Sequence, residues 1–174
     1  MSQLNPAVSG KDHVQGKSTA RIELIEYGDY QCPHCGRAYP IIKKLQHSLG
    51  TDLKFIFRNF PLSEIHPDAF NAAMATEAAG LQQKFWEMHD IIYEHQQRLD
   101  VDSLFRYAQK IGLDVEQFKN DIQSESLREK VDQDFESGVR SGVNGTPSFF
   151  VNGKKYNGDW EGDVFEQYLK SQLA

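Results

Sequence analysis

The chain has little cysteine and no long apolar run. Its 174 residues include only two cysteines, Cys32 and Cys35. Without a third cysteine, no structural disulfide is available to indicate an oxidising compartment. A four-ligand zinc site built on the pair would also lack its second pair of ligands. No apolar stretch approaches the roughly 20 residues that a transmembrane helix requires, so we expect no membrane span.

Basic residues are in the minority. The chain has 19 lysines and arginines against 25 acidic residues, a net charge of −6. The adjacent basic pairs are Lys43-Lys44 and Lys154-Lys155, and both are typical of a solvated surface. An acidic chain without a dense basic run is a poor partner for nucleic acid or an anionic membrane. The length suits one domain, or one domain that carries an insertion.

The N-terminal segment is polar. Residues 1–18 include Pro6, Gly10 and Gly16, a composition that predicts a surface or mobile arm. The first ten residues lack the charged start and the apolar centre of a signal peptide. We therefore expect a cytoplasmic protein. The alternative is a periplasmic or other extracytoplasmic protein whose export signal was replaced by methionine.

The two cysteines lie where a strand is predicted to turn into a helix. Residues 21–27 are rich in apolar residues and predict a strand, and residues 36–49 predict a helix closed by Gly50. Pro33 suits the first helical turn, because its missing N–H would have no partner there. A closely spaced dithiol beside a helix start is a typical site of redox chemistry.

Helical patterns then fill the middle of the chain. After a second predicted strand at 53–58, residues 66–140 show apolar residues at helical spacing and predict four or five helices. Strand patterns return at 148–151, where Asn152-Gly153 predicts a hairpin turn. A final amphipathic helix is predicted over 163–173.

These motifs together resemble the DsbA-like branch of the thioredoxin-fold oxidoreductases. The resemblance rests on Cys32-Pro33-His34-Cys35, on Thr146-Pro147 at the position of the family's cis-proline, and on the segments Phe57–Pro61 and Lys84–His89. It implies an α/β thioredoxin fold, a mixed sheet flanked by helices, with an inserted all-helical domain. The implied boundaries are a thioredoxin-like domain of 12–65 and 141–174, an inserted helical domain of 66–140, and an N-terminal arm of 1–11.

The position of Cys32 predicts that it is the exposed nucleophile. Only a thiolate attacks a disulfide, and the free N–H groups and the positive end of a helix favour that charge. His34 would add a donor, and a cation when it is protonated. Cys35, one turn into the helix, would then be the buried resolving thiol. A stabilised thiolate makes the disulfide more oxidising, so we expect a thiol:disulfide oxidoreductase that donates disulfides to proteins.

Two further site predictions depend on the resemblance. Glu26 shares a strand face with Ile22 and Leu24, and the resemblance implies that it lies under the dithiol and carries the proton of Cys35. The other reading is a solvated carboxylate at the end of a strand. The resemblance also implies that Pro147 is cis and that Thr146 presents its backbone to an extended substrate, whereas a trans proline could start an edge strand.

Other interpretations of the chain stay open. It could be a peptide-binding or chaperone-like module with a redox-sensing dithiol, or a glutathione-dependent relative, although such relatives generally lack the second cysteine. Partners would be protein or peptide thiols and an unidentified recycling partner, and we expect a monomer. We expect no metal and no cofactor other than the redox-active Cys32–Cys35 disulfide. Three histidines are predicted to lie at the surface or between domains: His66, His89 and His95.

Overall fold

The computed structural model describes residues 2–174, which form one mixed sheet and two sets of helices. The strands are β1 (His13–Gln15), β2 (Ile22–Gly28), β3 (Leu53–Asn59), β4 (Ser148–Val151) and β5 (Lys154–Tyr156). The helices are α1 (Pro33–Leu49), α2 (Ala69–Leu81), α3 (Phe85–Glu94), α4 (Val101–Lys110), α5 (Val115–Asp121), α6 (Glu125–Arg140) and α7 (Asp163–Ser171).

The sheet has the strand order β1-β3-β2-β4-β5. Strands β2 and β3 are parallel, and the other neighbouring strands are antiparallel. The two parallel strands need a long crossover, which α1 supplies. A second long excursion, α2 to α6, joins β3 to β4, so the helical block is inserted between the two halves of the sheet, as the sequence predicted.

Strand β2 occupies the centre of the sheet and is buried on both faces. Ile22 and Leu24 pack into the larger core, which α1, α7 and much of the helical block cover. Ile25 and Tyr27 point to the opposite face and pack into a smaller cluster with Phe60. Glu26 alternates onto the face of Ile22 and Leu24, and this places its carboxylate on the side where α1 begins.

Polar N-caps begin three helices of the inserted block. The side chains of Asp100, Asp114 and Ser124 each accept a hydrogen bond from the backbone N–H three residues further along. The cap at Asp114, whose partner is the N–H of Gln117, was predicted from the sequence. Gly112 follows α4 with a φ of +83°, which suits the predicted end of that helix.

The N-terminal segment is more ordered than its composition suggested. Strand β1 lies within residues 1–18 and pairs with β3 from His13 to Gln15. Gln3 forms an antiparallel bridge to Lys154, and the Leu4 N–H donates to the carbonyl of Gly153. A strand of three residues has too short a pattern to be recognised, so the description of 1–18 as a surface or mobile arm was wrong for residues 13–15.

The hairpin at the other edge agrees with the prediction. Asn152 and Gly153 both have positive φ, 48° and 81°. That is the backbone of a type I′ turn, which suits the right-handed twist of the two strands that it joins. Strand β4 therefore pairs with β2 on one side and with β5 on the other.

Candidate active site

The two cysteines lie at the N-terminus of α1, at the end of the sheet where β2 finishes. Cys32 is the N-cap residue, and Pro33 is the first residue of the helix. Both thiols are reduced. Cys32 exposes 3% of its surface and Cys35 none. The predicted exposure of Cys32 was therefore wrong, because the Thr146 loop lies against its sulfur, but Cys32 is still the more accessible of the two.

The surroundings of Cys32 favour its thiolate form. Its pKa falls to about 5, chiefly because the Cys35 thiol donates to it, with further help from Thr146 and from the N–H groups of Cys35 and His34. Burial acts in the opposite direction but is outweighed. The helix N-terminus therefore acts as the sequence suggested, by supplying backbone donors to the sulfur.

Cys35 has the opposite character. Three effects raise the pKa of its thiol well above the ordinary value: burial, the hydrogen bond that it donates to Cys32, and the nearby Glu26 carboxylate. The N–H of Asp29 lies 3.5 Å from its sulfur. The two thiols of this turn therefore differ strongly in acidity, and the proton that they share belongs to Cys35.

Glu26 is buried under this turn, with 2% of its surface exposed. Burial raises its pKa to about 8, and the charge on Cys32 adds to the effect. Among the described residues its Oε1 atom has no hydrogen-bond partner. A carboxyl group in this position is protonated over most of the neutral range, and it is not the solvated carboxylate that the alternative reading assumed.

Thr146 and Pro147 come from the loop before β4 and meet the dithiol from the other side. The peptide bond between them is cis. The Thr146 carbonyl oxygen lies 3.6 Å from the Cys32 sulfur. Residues 114 positions apart in the sequence are thus brought together, because β2 and β4 are neighbours in the sheet.

The His34 side chain lies at the surface. Its ring is exposed, and its Nδ1 atom lies 2.6 Å from Nη2 of Arg37. Arg37 also lies 3.5 Å from Glu161 in the segment before α7. The contribution of His34 to Cys32 is therefore made by its backbone N–H, whereas the sequence argument had assigned it to the ring.

Two polar residues that sequence reasoning missed hold the turn in place. Asp29 Oδ1 accepts from the N–H groups of Gln31, at 2.7 Å, and Cys32, at 3.1 Å. Gln96, which follows α3, donates to the carbonyls of Tyr30, at 3.0 Å, and Cys32, at 2.7 Å. Asp29 lies two residues before Gln31, the spacing of an Asx-turn, which could have revealed it; nothing in the sequence marks Gln96.

The three histidines predicted at surface or interdomain positions have different surroundings. His95 is exposed, and His66 is partly buried against Asp29. His89 is buried and contacts the Tyr30 hydroxyl at 2.9 Å through Nδ1. Burial holds the pKa of His89 well below its ordinary value, so this ring is neutral.

Comparison with known proteins assigns the family. The thioredoxin family model matches residues 8–171, nearly the whole chain. This match covers the dithiol turn, the inserted helices and the Thr146–Pro147 loop together.

The curated relatives are longer proteins. The chain is 42% identical over 160 residues to a Na(+)/H(+) antiporter NhaA 1 of Mycolicibacterium vanbaalenii, a match that covers 91% of this chain and 26% of the relative. A Salinispora arenicola NhaA 1 is 36% identical over 169 residues, with 97% and 26% covered. The chain thus spans about a quarter of the relatives it matches. Within residues 2–174, no helix has the length and apolar character that crossing a membrane demands.

Solved structures share the fold over their whole length. BdbD from Bacillus subtilis superimposes with a TM-score of 0.87 at 23% identity, covering 99% of this chain and 97% of that one. Wolbachia pipientis alpha-DsbA1 gives 0.84 at 21% identity, with 96% and 93% covered. The predicted fold class is confirmed. The chain belongs to the thioredoxin family and has the DsbA-like form of its fold, in which a helical block interrupts the sheet.

Proposed function

We propose that this chain is a thiol:disulfide oxidoreductase of DsbA type, which exchanges its Cys32–Cys35 disulfide with protein thiols. The observation that carries the proposal is the contrast in acidity within one helical turn. The Cys32 pKa is lowered to about 5 and the Cys35 pKa is raised. That contrast suits a pair in which one sulfur leaves as a thiolate and the other retains a proton.

The exchange takes place in two steps. A client thiolate attacks the Cys32 sulfur of the oxidised protein, the Cys32–Cys35 bond breaks, and its electron pair goes to Cys35. A mixed disulfide now joins the client to Cys32. A second client thiolate then attacks the client sulfur of that bond, and Cys32 leaves as a thiolate. The client loses two electrons and gains a disulfide, and the protein is reduced to its dithiol.

The proton balance of the first step gives a role to Glu26. Cys35 leaves as a thiolate in a site where burial disfavours that charge. Glu26 is buried beside it with a pKa of about 8, so it is protonated at neutral pH and can supply the proton. Regenerating the disulfide reverses the transfer. Glu26 is therefore a proton carrier, and a recycling partner must remove the two electrons.

Thr146 and Pro147 give the client a place to bind. The Thr146 carbonyl lies beside the Cys32 sulfur, and an extended client segment could pair with this loop backbone as an added strand would. Pro33 and His34 begin the helix and contribute position and a backbone donor. The clients are proteins or peptides that carry thiols.

We assign thiol exchange rather than ion transport to this chain, although its curated relatives are named as antiporters. The match spans about a quarter of each relative, and the same residues of this chain match the thioredoxin family model. The shared segment is thus the thioredoxin-family part of those longer proteins.

The mechanism can be tested by trapping the mixed disulfide. Cys35→Ala protein, mixed with a client that contains a disulfide, should accumulate a covalent adduct on Cys32 because no inner thiol can resolve it. Cys32→Ala is the matched control and should form no adduct, since Cys35 is buried. If Cys35→Ala yields no adduct with any disulfide client, the assigned roles are wrong.

The redox potential decides the direction of exchange. Equilibration with glutathione buffers should give a value more oxidising than about −200 mV for a disulfide donor. A value near or below about −250 mV would indicate a reductant and a cytoplasmic role instead. His34→Ser removes the imidazole ring but keeps the backbone N–H that contacts Cys32. The potential of this variant should therefore equal that of the wild type, and a changed potential would mean that the ring contributes.

A further inference from the structure

A second carboxylate, that of Asp29, lies beside the dithiol. Unlike Glu26, it has hydrogen-bond partners for both of its oxygens. Asp29 Oδ1 accepts from the backbone of the dithiol turn. Its Oδ2 accepts from the Leu62 N–H at 2.9 Å and lies 2.8 Å from Nδ1 of His66. The Asp29 side chain is fully buried, and that of His66 is 17% exposed. Asp29 thus ties the turn to the loop that leads into the helical block.

This placement creates an electrostatic problem for the thiolate. The Asp29 backbone touches the Cys35 sulfur, and its carboxylate binds the Cys32 N–H. A negative charge so near a thiol disfavours the thiolate. Among the ion pairs of residues 2–174, the partner of Asp29 is His66. When that imidazole is protonated, the pair carries no net charge.

We propose that Asp29 and His66 form a positioning pair: Asp29 holds the backbone of the dithiol turn, and the charge of His66 prevents that carboxylate from opposing the Cys32 thiolate. The inference rests on the proposed function only in that Cys32 is the reacting thiol. Neither residue touches the reacting sulfur with its side chain, and each acts through the turn.

The other titratable groups near the pair cannot replace His66. Glu26 on β2 and the Cys35 thiol on α1 would add negative charge or none. Tyr93 on α3 has its pKa raised well above the ordinary value, by burial and by charges that include Cys35, Glu26 and Asp29, so it stays neutral. Asp68 approaches from the start of α2, with Oδ2 3.4 Å from Nε2 of Gln31, and it is also an acid.

The test is the pKa of Cys32, measured from the pH dependence of its alkylation by iodoacetamide, with the modified residue located by mass spectrometry. His66→Gln keeps an N–H donor but removes the charge. It should raise the Cys32 pKa by about one unit, which slows alkylation at pH 5 about fivefold.

The chain offers a matched control in a second histidine–carboxylate pair. His13 lies 2.8 Å from Glu77, with side chains 22% and 4% exposed. No hydrogen bond within residues 2–174 connects these two side chains to residues 29–36. His13→Gln should therefore leave the Cys32 pKa unchanged, which separates a local charge effect from a general loss of stability.

A double substitution tests the coupling directly. In an Asp29→Asn background, the charge that His66 neutralises is absent, so His66→Gln should no longer shift the Cys32 pKa. A shift of equal size in both backgrounds would overturn the proposal, as would an unchanged pKa in His66→Gln alone. If Asp29→Asn does not fold, the comparison of His66→Gln with His13→Gln decides, because equal pKa values in those two variants contradict the pairing.

Alkylation needs no disulfide client, so this result is independent of the exchange reaction. A shifted Cys32 pKa without trapped adducts would support the pair and contradict the proposed function. Trapped adducts with an unshifted Cys32 pKa would support the proposed function and contradict the pair.

Discussion

Two groups of buried charged side chains lie in this molecule, and they are paired to very different degrees. Beside the dithiol, Asp29 is paired with His66, but Glu26 has an oxygen without a partner. Between β1, β3, α2 and α6, a second group is fully paired. Its ion pairs are Arg58–Asp12, His13–Glu77 and Lys130–Asp134, each at 2.8 Å, and Lys130–Glu77 at 3.4 Å.

Two glutamates show what this difference means. Glu26 and Glu77 expose 2% and 4% of their surfaces, and burial alone would raise the pKa of both. For Glu77, the hydrogen bond from His13 and the positive charge of Lys130 outweigh burial, and its pKa is lowered. For Glu26 nothing opposes burial, and the pKa rises to about 8. The paired group holds structural elements together, whereas the unpaired carboxyl can exchange its proton near neutral pH.

The largest expected effect comes from replacing the paired glutamate. Glu77→Leu leaves His13 and Lys130 without their shared partner in a buried site. Removing one member of such a network costs about 3–5 kcal/mol of unfolding free energy. Urea unfolding at pH 7 measures it, and the redox potential should not change. A loss below about 1 kcal/mol would show that the network is not needed for stability.

The same substitution at the unpaired glutamate should have the opposite sign. The folded-state pKa of Glu26 is raised from 4.5 to about 8, so folded protein binds this proton more tightly than unfolded protein. Wild-type stability therefore falls as pH rises from 4.5 to 8. The Glu26→Leu variant has no such carboxyl group, so its stability does not fall with pH in this way. In the dithiol form it should be more stable than the wild type at pH 7, by about 3 kcal/mol of unfolding free energy.

The pH dependence of that gain identifies its cause. The difference between Glu26→Leu and wild type should grow from pH 4.5 to pH 8 and then become constant, as followed by urea unfolding across that range. A gain of equal size at every pH would come from packing rather than from the buried charge. The variant should also exchange disulfides more slowly, because Cys35 loses its proton carrier.

A smaller effect should separate the oxidised and reduced forms. The folded-state pKa of Cys32 is lowered from 9.0 to about 5, so the thiolate stabilises the folded dithiol form above pH 5. That stabilisation is lost as pH falls through 5. After allowance for solvent screening at the sulfur, the stability of the reduced protein relative to the oxidised form should rise by about 1–2 kcal/mol between pH 4 and pH 7. Thermal unfolding of both forms across that range measures the change.

The sequence predicted much of this site, because much of it is local. Cys32, Pro33 and Cys35 follow from the helix start, and the face of Glu26 follows from strand alternation. The proximity of Thr146 to Cys32 was inferred from a family resemblance, since no local pattern joins β2 to β4. The contact of the His34 ring with Arg37 was not predicted, because a residue's rotamer is not encoded in spacing.

What the sequence left out is the support of the turn. Gln96 reaches the turn from the inserted helical block, and Asp29 is tied to the loop before that block. Such contacts depend on how the block packs against α1, which periodicity does not specify. The short strand β1 was missed for a different reason, since three residues cannot establish a period.

The smallest expected effect tests whether Gln96 holds the dithiol turn, because the stability change caused by Gly36→Ala should reverse its sign when Gln96 is removed. A side chain at Gly36 would collide with the Gln96 carboxamide, which holds the carbonyls of Tyr30 and Cys32. Gly36→Ala should therefore displace Gln96, whose two hydrogen bonds are worth about 1 kcal/mol each. After the gain in helix propensity from alanine is subtracted, the protein should be destabilised by about 1 kcal/mol. In a Gln96→Ala background the collision is gone. There the same change should stabilise α1 by about 0.5–1 kcal/mol, because alanine is the better helix former. Urea midpoints of the four proteins give both values, and the same sign in both backgrounds would mean that Gln96 does not hold the turn.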